Sequence, residues 1–125
     1  MIIQDKTTLP EEHPGPVVLV NTFTAKPDQM PAFVAAQTAE YKRLLGRVEG
    51  WRGNRLHVSL DGCTAVNYAI FDSLQAYKDW RASALFMEHV AMIAPFVERS
   101  EPRIFRPLYD AGELSLPTHD TLSPQ

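Results

Sequence analysis

Val17-Val18-Leu19-Val20-Asn21-Thr22-Phe23-Thr24 is apolar on both faces and rich in β-branched residues, the composition of a strand buried in the middle of a sheet. Outward from it, the period of the pattern changes in an ordered way. Lys26-Pro27-Asp28 breaks the strand, with Asp28 as the expected N-cap of a helix. Met30, Phe33, Val34, Gln37, Tyr41, Leu44, Leu45 and Val48 then follow helical spacing, and Gly46 and Gly50 end the run. Trp51 to Leu60 alternates in part and leads into Asp61-Gly62, a two-residue hairpin signal, so Cys63 to Phe71 is the returning strand. Asp72-Ser73 caps a second helix through Leu74, Tyr77 and Trp80. A break at Ser83 opens a further helical segment carrying Phe86, His89, Val90, Ile93 and Val97, with Pro95 at its C-terminal end. Arg103 to Tyr109 is the last expected strand, and Pro107 places it at a sheet edge.

The order is β-α-β-β-α-β, an α+β, ferredoxin-like arrangement with an antiparallel sheet. Residues 17–110 form the expected domain. Residues 1–16, with Pro10, Pro14 and Pro16, read as an extended or disordered arm, and residues 111–125, with Pro117 and Pro124, as a flexible tail. Two helices cover only one face of such a sheet. Yet Val18 and Val20 oppose Leu19 and Phe23, and Val66 and Ile70 oppose Ala65 and Phe71, so both faces are apolar. An open face of several hundred Å² exceeds what a soluble monomer usually shows, and a second copy of the same sheet would cover it. A homodimer packed sheet to sheet is expected.

Composition excludes several classes of function. Twelve Lys and Arg against fifteen Asp and Glu give a formal charge of −3, without the clustered cations that nucleic-acid binding needs. No apolar run reaches the roughly 18 to 20 residues of a membrane span, and Met1-Ile2-Ile3-Gln4-Asp5-Lys6 does not read as a secretory leader. The single Cys63 forms no internal disulfide and suits a reducing cytoplasm. Histidines at 13, 57, 89 and 119 have no metal-ligand spacing, and no phosphate loop or nucleophile elbow is present.

What stands out instead are polar residues at positions that should be apolar. Asn21 shares the parity of Val17, Leu19 and Phe23. A buried amide without partners costs about 1–3 kcal/mol, so Asn21 is either a satisfied structural amide or a donor aimed into a cavity. Asn67 shares the parity of Ala69 and Phe71 and is flanked by the small Ala65 and Ala69. Gln37 falls on the apolar stripe of the first helix, or at its edge. His89, between Phe86 and Val90, is a core histidine, a general base or an axial ligand. Tyr41, Trp51, Phe71, Tyr77 and Trp80 either pack the core or line a flat cavity, while Arg52, Arg55, Arg81 and Arg103 read as solvated or interface charges.

Val20-Asn21-Thr22-Phe23-Thr24, Glu49-Gly50-Trp51, Asp61-Gly62 and Val66-Asn67-Tyr68-Ala69-Ile70-Phe71-Asp72-Ser73, in that order, resemble the antibiotic biosynthesis monooxygenase family. The resemblance covers residues 17–110 and implies a dimeric α+β barrel with one cavity per subunit, between sheet and helices. The chain is most similar to the small anthrone oxygenases of aromatic polyketide pathways, which need neither metal nor flavin. Their pattern has an Asn on the first strand, matched by Asn21, and a Trp at the end of the third, where this chain has Phe71; the Asn-Ala spacing before it survives as Asn67 and Ala69. The resemblance thus implies oxidation of a polyphenolic polyketide by O₂ without a cofactor. Asn21 and Asn67 would hydrogen-bond the developing oxyanion and His89 would accept the proton, with Gln37, Tyr41, Phe71, Tyr77 and Trp80 around the rings. The same cavity without O₂ would serve a polyketide cyclase or isomerase. Another branch of the superfamily degrades heme with an Asn-Trp-His set; Asn21 and Trp80 fall at its positions, and His89 lies one residue short of its spacing.

Overall fold

A computed structural model describes residues 1–5 and 8–115; Pro117, Pro124 and the rest of the expected tail beyond Ser115 lie outside the described residues. The elements are β1 (Ile2–Ile3), β2 (Val17–Thr24), α1 (Met30–Leu44), β3 (Trp51–Val58), β4 (Thr64–Phe71), α2 (Leu74–Arg81), α3 (Ala84–Ile93), a 3₁₀ turn (Ala94–Phe96) and β5 (Arg99–Phe105). They form one sheet in the order β1-β5-β2-β4-β3. The three ladders among β2, β3, β4 and β5 are antiparallel, and β1 runs parallel along the outer side of β5. The architecture is ferredoxin-like, with an extra edge strand and a second helix divided at Ser83.

Local chemistry explains where these elements begin and end, and four sequence expectations are corrected. Asp28 does not cap α1. Gln29 holds the N-cap position without a side-chain bond, and the Lys26 carbonyl accepts from the N–H groups of Gln29 (2.9 Å) and Met30 (3.0 Å), so backbone does the work expected of a carboxylate. The helix stops at Leu44, with Gly46 at φ 76° just beyond, and Val48 lies in the following loop. The Asp61-Gly62 turn belongs to a longer connection, because the Ser59 N–H still reaches the Thr64 carbonyl at 2.8 Å. Asp61 organises that loop by accepting from the Ser59 hydroxyl (2.6 Å) and the Cys63 N–H (3.0 Å).

The last strand spans Arg99–Phe105, four residues earlier than expected at its start, and its proline is Pro102 rather than Pro107. The Glu98 and Ser100 carbonyls accept from the Ile2 and Gln4 N–H groups at 2.9 and 2.8 Å. Strand alternation then turns the Pro102 nitrogen to the same outer side, where the parallel ladder has ended and no donor is required. Part of the N-terminal arm is therefore a strand. Farther along it, the Lys78 ammonium donates to the Pro10 and Glu11 carbonyls at 3.0 and 3.1 Å.

All helices cover the same sheet face, and the core beneath them is divided. Phe23, Ala25, Met30, Phe33, Ala65, Ile93 and Val97 pack at one end. Val17, Leu19, Ala69, Phe71, Leu74 and Tyr77 pack at the other. Between the two clusters, β2 presents Asn21 and β4 presents Asn67, directly opposite each other in the ladder. A polar gap thus interrupts an otherwise apolar interior.

Candidate active site

The two asparagines are oriented by neighbours. The Ser100 hydroxyl donates to Asn21 Oδ1 at 2.8 Å, and the Asn54 amide donates to Asn67 Oδ1 at 3.1 Å. Each carbonyl oxygen thus already accepts one hydrogen bond from the protein, and each carboxamide also carries an –NH₂ donor. The opposing wall is α1. Gln37 is 1% exposed, and neither of its amide atoms has a partner among the described residues; the Tyr41 hydroxyl, one turn on, is also buried, with Asn54 beside it. Burial raises the Tyr41 phenol far above its ordinary value, with the neighbouring Asn54 offsetting a little. Burial likewise raises Tyr77, against the pull of Arg81. Both phenols are therefore neutral donors at pH 7.

His89 comes from α3. Its Nδ1 lies 3.1 Å from Glu40 Oε1, and Glu40 is gripped at both oxygens by Arg43 Nε and Nη2, each at 2.8 Å. Burial lowers the His89 pKa; the hydrogen bond and charge of Glu40 oppose this, and Arg43 adds to the lowering. Glu40 is itself lowered, chiefly by the Arg43 hydrogen bonds, which outweigh its burial. A neutral imidazole beside an ionised carboxylate is the state at neutral pH. The Trp80 ring lies 6.0 Å from the imidazole and 5.4 Å from Phe86, and Phe71 meets Tyr77 edge-on at 5.5 Å.

These groups share one hollow between sheet and helices, about 760 Å³ counting its mouth. Asn21, Asn67, Gln37 and His89 line it, and so do Tyr41, Phe71, Tyr77 and Trp80. Among the described residues no three His, Cys, Asp or Glu side chains are grouped to hold a metal ion.

A profile of the antibiotic biosynthesis monooxygenase family matches residues 16–92, more than half of the chain. The chain belongs to that family. Several solved structures share the fold. ActVA-Orf6 of Streptomyces coelicolor, in complex with nanaomycin D, is 23% identical with a TM-score of 0.70, over 79% of this chain and 93% of its own. SnoaB of Streptomyces nogalater, a cofactor-independent oxygenase, is 24% identical with a TM-score of 0.63, over 79% and 99%. Rv0793 of Mycobacterium tuberculosis is 24% identical with a TM-score of 0.64, over 78% and 99%. No curated protein matches the sequence.

Several residues at or beside the hollow of this antibiotic biosynthesis monooxygenase family member are not legible in the sequence. Asn54 was hidden by a bulge between Trp51 and Gly53, which shifts the parity of β3. Ser100 was hidden by the misplaced start of β5. Arg81, read as a solvated charge, lines the hollow; its guanidinium donates to the Tyr77 hydroxyl at 3.1 Å, meets Asp5 at 3.4 Å and covers the Phe86 ring at 4.8 Å. Met1 and Ile3 of the arm also line it. Glu40 carried a usable signal, since Gln37, Glu40, Tyr41 and Leu44 follow i, i+3, i+4, i+7 and put a carboxylate on the buried stripe.

Proposed function

We propose that this monooxygenase oxidises a flat, polyphenolic carbon acid of the anthrone type with O₂ and no cofactor, in the assembly of an aromatic polyketide. The observation that carries the reading is the pair of opposed carboxamides, Asn21 and Asn67, facing the hollow with their carbonyl oxygens already engaged. Two amide donors in a water-poor site favour an oxyanion, and one such donor is worth about 3–4 kcal/mol to a transition state. His89, neutral and buried, takes the proton from the activated CH₂. The delocalised carbanion passes an electron to O₂, and the radical pair recombines to a peroxide. Loss of water then leaves a carbonyl where the CH₂ had been. Each turnover consumes one O₂, forms one C=O and releases one water. Tyr41, Phe71, Tyr77 and Trp80 hold the rings, and Gln37 meets a polar edge of the substrate. The nanaomycin D held by ActVA-Orf6 supports a polycyclic ligand for this fold.

The protein works as a homodimer. The sheet face away from the helices presents Val20, Val66, Tyr68, Ile70 and Phe105, of which Tyr68 is 42% and Phe105 45% exposed in the single chain. No helix among the described residues is long and apolar enough to cross a membrane, and the free Cys63 thiol suits a cytoplasmic setting.

An oxygen electrode with an anthrone substrate tests the reading. Asn67→Ala and Asn21→Ala should each slow O₂ uptake about 10²–10³-fold, and the product should carry one more oxygen and two fewer hydrogens than the substrate. Unchanged uptake in both variants overturns it, as does a product lighter by one water, which would establish the cyclase reaction instead.

A further inference from the structure

We infer that Glu40, clamped by Arg43, is the positioning residue that holds the His89 imidazole with its proton on Nδ1 and the lone pair of Nε2 directed away from α1, toward the hollow. The inference rests on the role given to His89 above and extends it to a residue of another helix. Glu40 is 2% exposed, and a buried carboxylate is costly unless its oxygens are engaged. Arg43 takes both oxygens, supplies the countercharge and fixes the plane of the carboxylate. Oxygen Oε1 then still reaches across to His89 Nδ1. An ionised carboxylate only accepts hydrogen bonds, so the imidazole nitrogen facing it must carry hydrogen. In a neutral ring that leaves Nε2 as the acceptor.

The surroundings single out this carboxylate. From α1, Glu40 and the Arg43 charge act on the ring, and the neutral Tyr41 phenol lines the same hollow. From α2, Arg81, Tyr77 and the Trp80 ring line the same hollow, with Asp5 of the arm paired to Arg81. Glu88 of α3 acts on Arg43. The sheet contributes the uncharged Asn21, Asn54, Asn67 and Ser100. Glu40 is thus the one acid bonded to the imidazole among the described residues, and it opposes the loss of basicity that burial imposes. A clasp between α1 and α3 needs none of this directionality.

Nitrogen-15 NMR of histidine-labelled protein separates the two roles without any substrate. His89→Gln assigns the signal among the four histidines of the chain. The wild type should show the Nδ1–H tautomer above its titration. Glu40→Gln keeps an acceptor oxygen of nearly the same shape but loses the charge, so His89 should keep that tautomer and titrate at lower pH. Where turnover is measured, its acid limb should move down with it, and kcat should fall about ten- to a hundredfold with KM little changed, a part of the roughly 10²–10⁴ that a positioned base contributes. Glu40→Leu should mix the tautomers. An Nε2–H tautomer in the wild type, or a His89 titration unmoved in Glu40→Gln, overturns the inference even if the enzyme turns over an anthrone. The expected NMR pattern with no anthrone turnover upholds it and fails the substrate reading alone.

Discussion

At Gln37 the fold carries a cost that a polar partner in the hollow, a bound ligand among them, would relieve. Both amide atoms are buried and unpartnered on the wall facing the asparagines, and an unsatisfied buried polar group costs about 1–3 kcal/mol. Gln37→Leu, close in volume, should therefore raise the stability of the ligand-free protein by about that amount, read as a higher midpoint in thermal or urea denaturation. The same change should weaken binding of a hydroxylated aromatic ligand in a fluorescence titration using Trp80 and Trp51. A variant with lower stability and unchanged affinity would assign Gln37 to packing. Asn21, Asn67 and Gln37 were legible in the sequence because a polar residue in a regular period stands out against its neighbours. Asn54 and Ser100 were not, since each depends on a bulge or a strand boundary that one-dimensional pattern does not resolve.

Among elements, the break between α2 and α3 shapes the site more than either helix alone. Ser83 Oγ donates to the Trp80 carbonyl at 2.7 Å and accepts from the Phe86 N–H at 3.2 Å, closing one helix and capping the next. Trp80, Phe86 and His89 flank that joint, so Ser83→Ala should cost about 0.5–2 kcal/mol in urea unfolding and loosen the aromatic wall. The α1–α3 contact makes stability depend on pH. His89 is lowered from 6.5 in the folded state, so its contribution is complete above 6.5 and is lost as pH falls from there toward the folded value. Glu40 is lowered from 4.5, so its contribution is complete above 4.5 and is lost below. Stability should thus erode in two stages on acidification, and His89→Gln should remove the first, as followed by urea midpoints between pH 7 and 5. The Ser73 cap and the break at Ser83 are legible in the sequence, whereas the start of β5 is not. Its inward residues are Ser100, Pro102 and Ile104, and only one of the three supplies strong apolar contrast.

For the whole molecule, the two sheet faces have opposite partners. One holds the divided core and its hollow; the other is the apolar face proposed to meet a second subunit. Stable dimers bury about 800 Å² on each partner, and an apolar sheet face of several strands, with Leu108 and Tyr109 80% and 82% exposed on the segment after β5, offers surface of that kind. Beyond β5 the chain returns toward the far strand, where Arg55 Nη1 donates to the Leu114 carbonyl at 3.4 Å. Alternation along β4 sends Tyr68 outward and its neighbour Asn67 into the hollow. Tyr68→Glu places a charge on the outer face and leaves the inner one untouched. Sedimentation equilibrium should show the wild type as a dimer and this variant shifted to monomer, with a melting temperature that no longer rises with protein concentration. Affinity for an aromatic ligand should stay within a few-fold, because every residue lining the hollow in the single chain is retained. A monomeric variant that no longer binds ligand would mean instead that the second subunit, by stiffening β4 from behind, sets the position of Asn67.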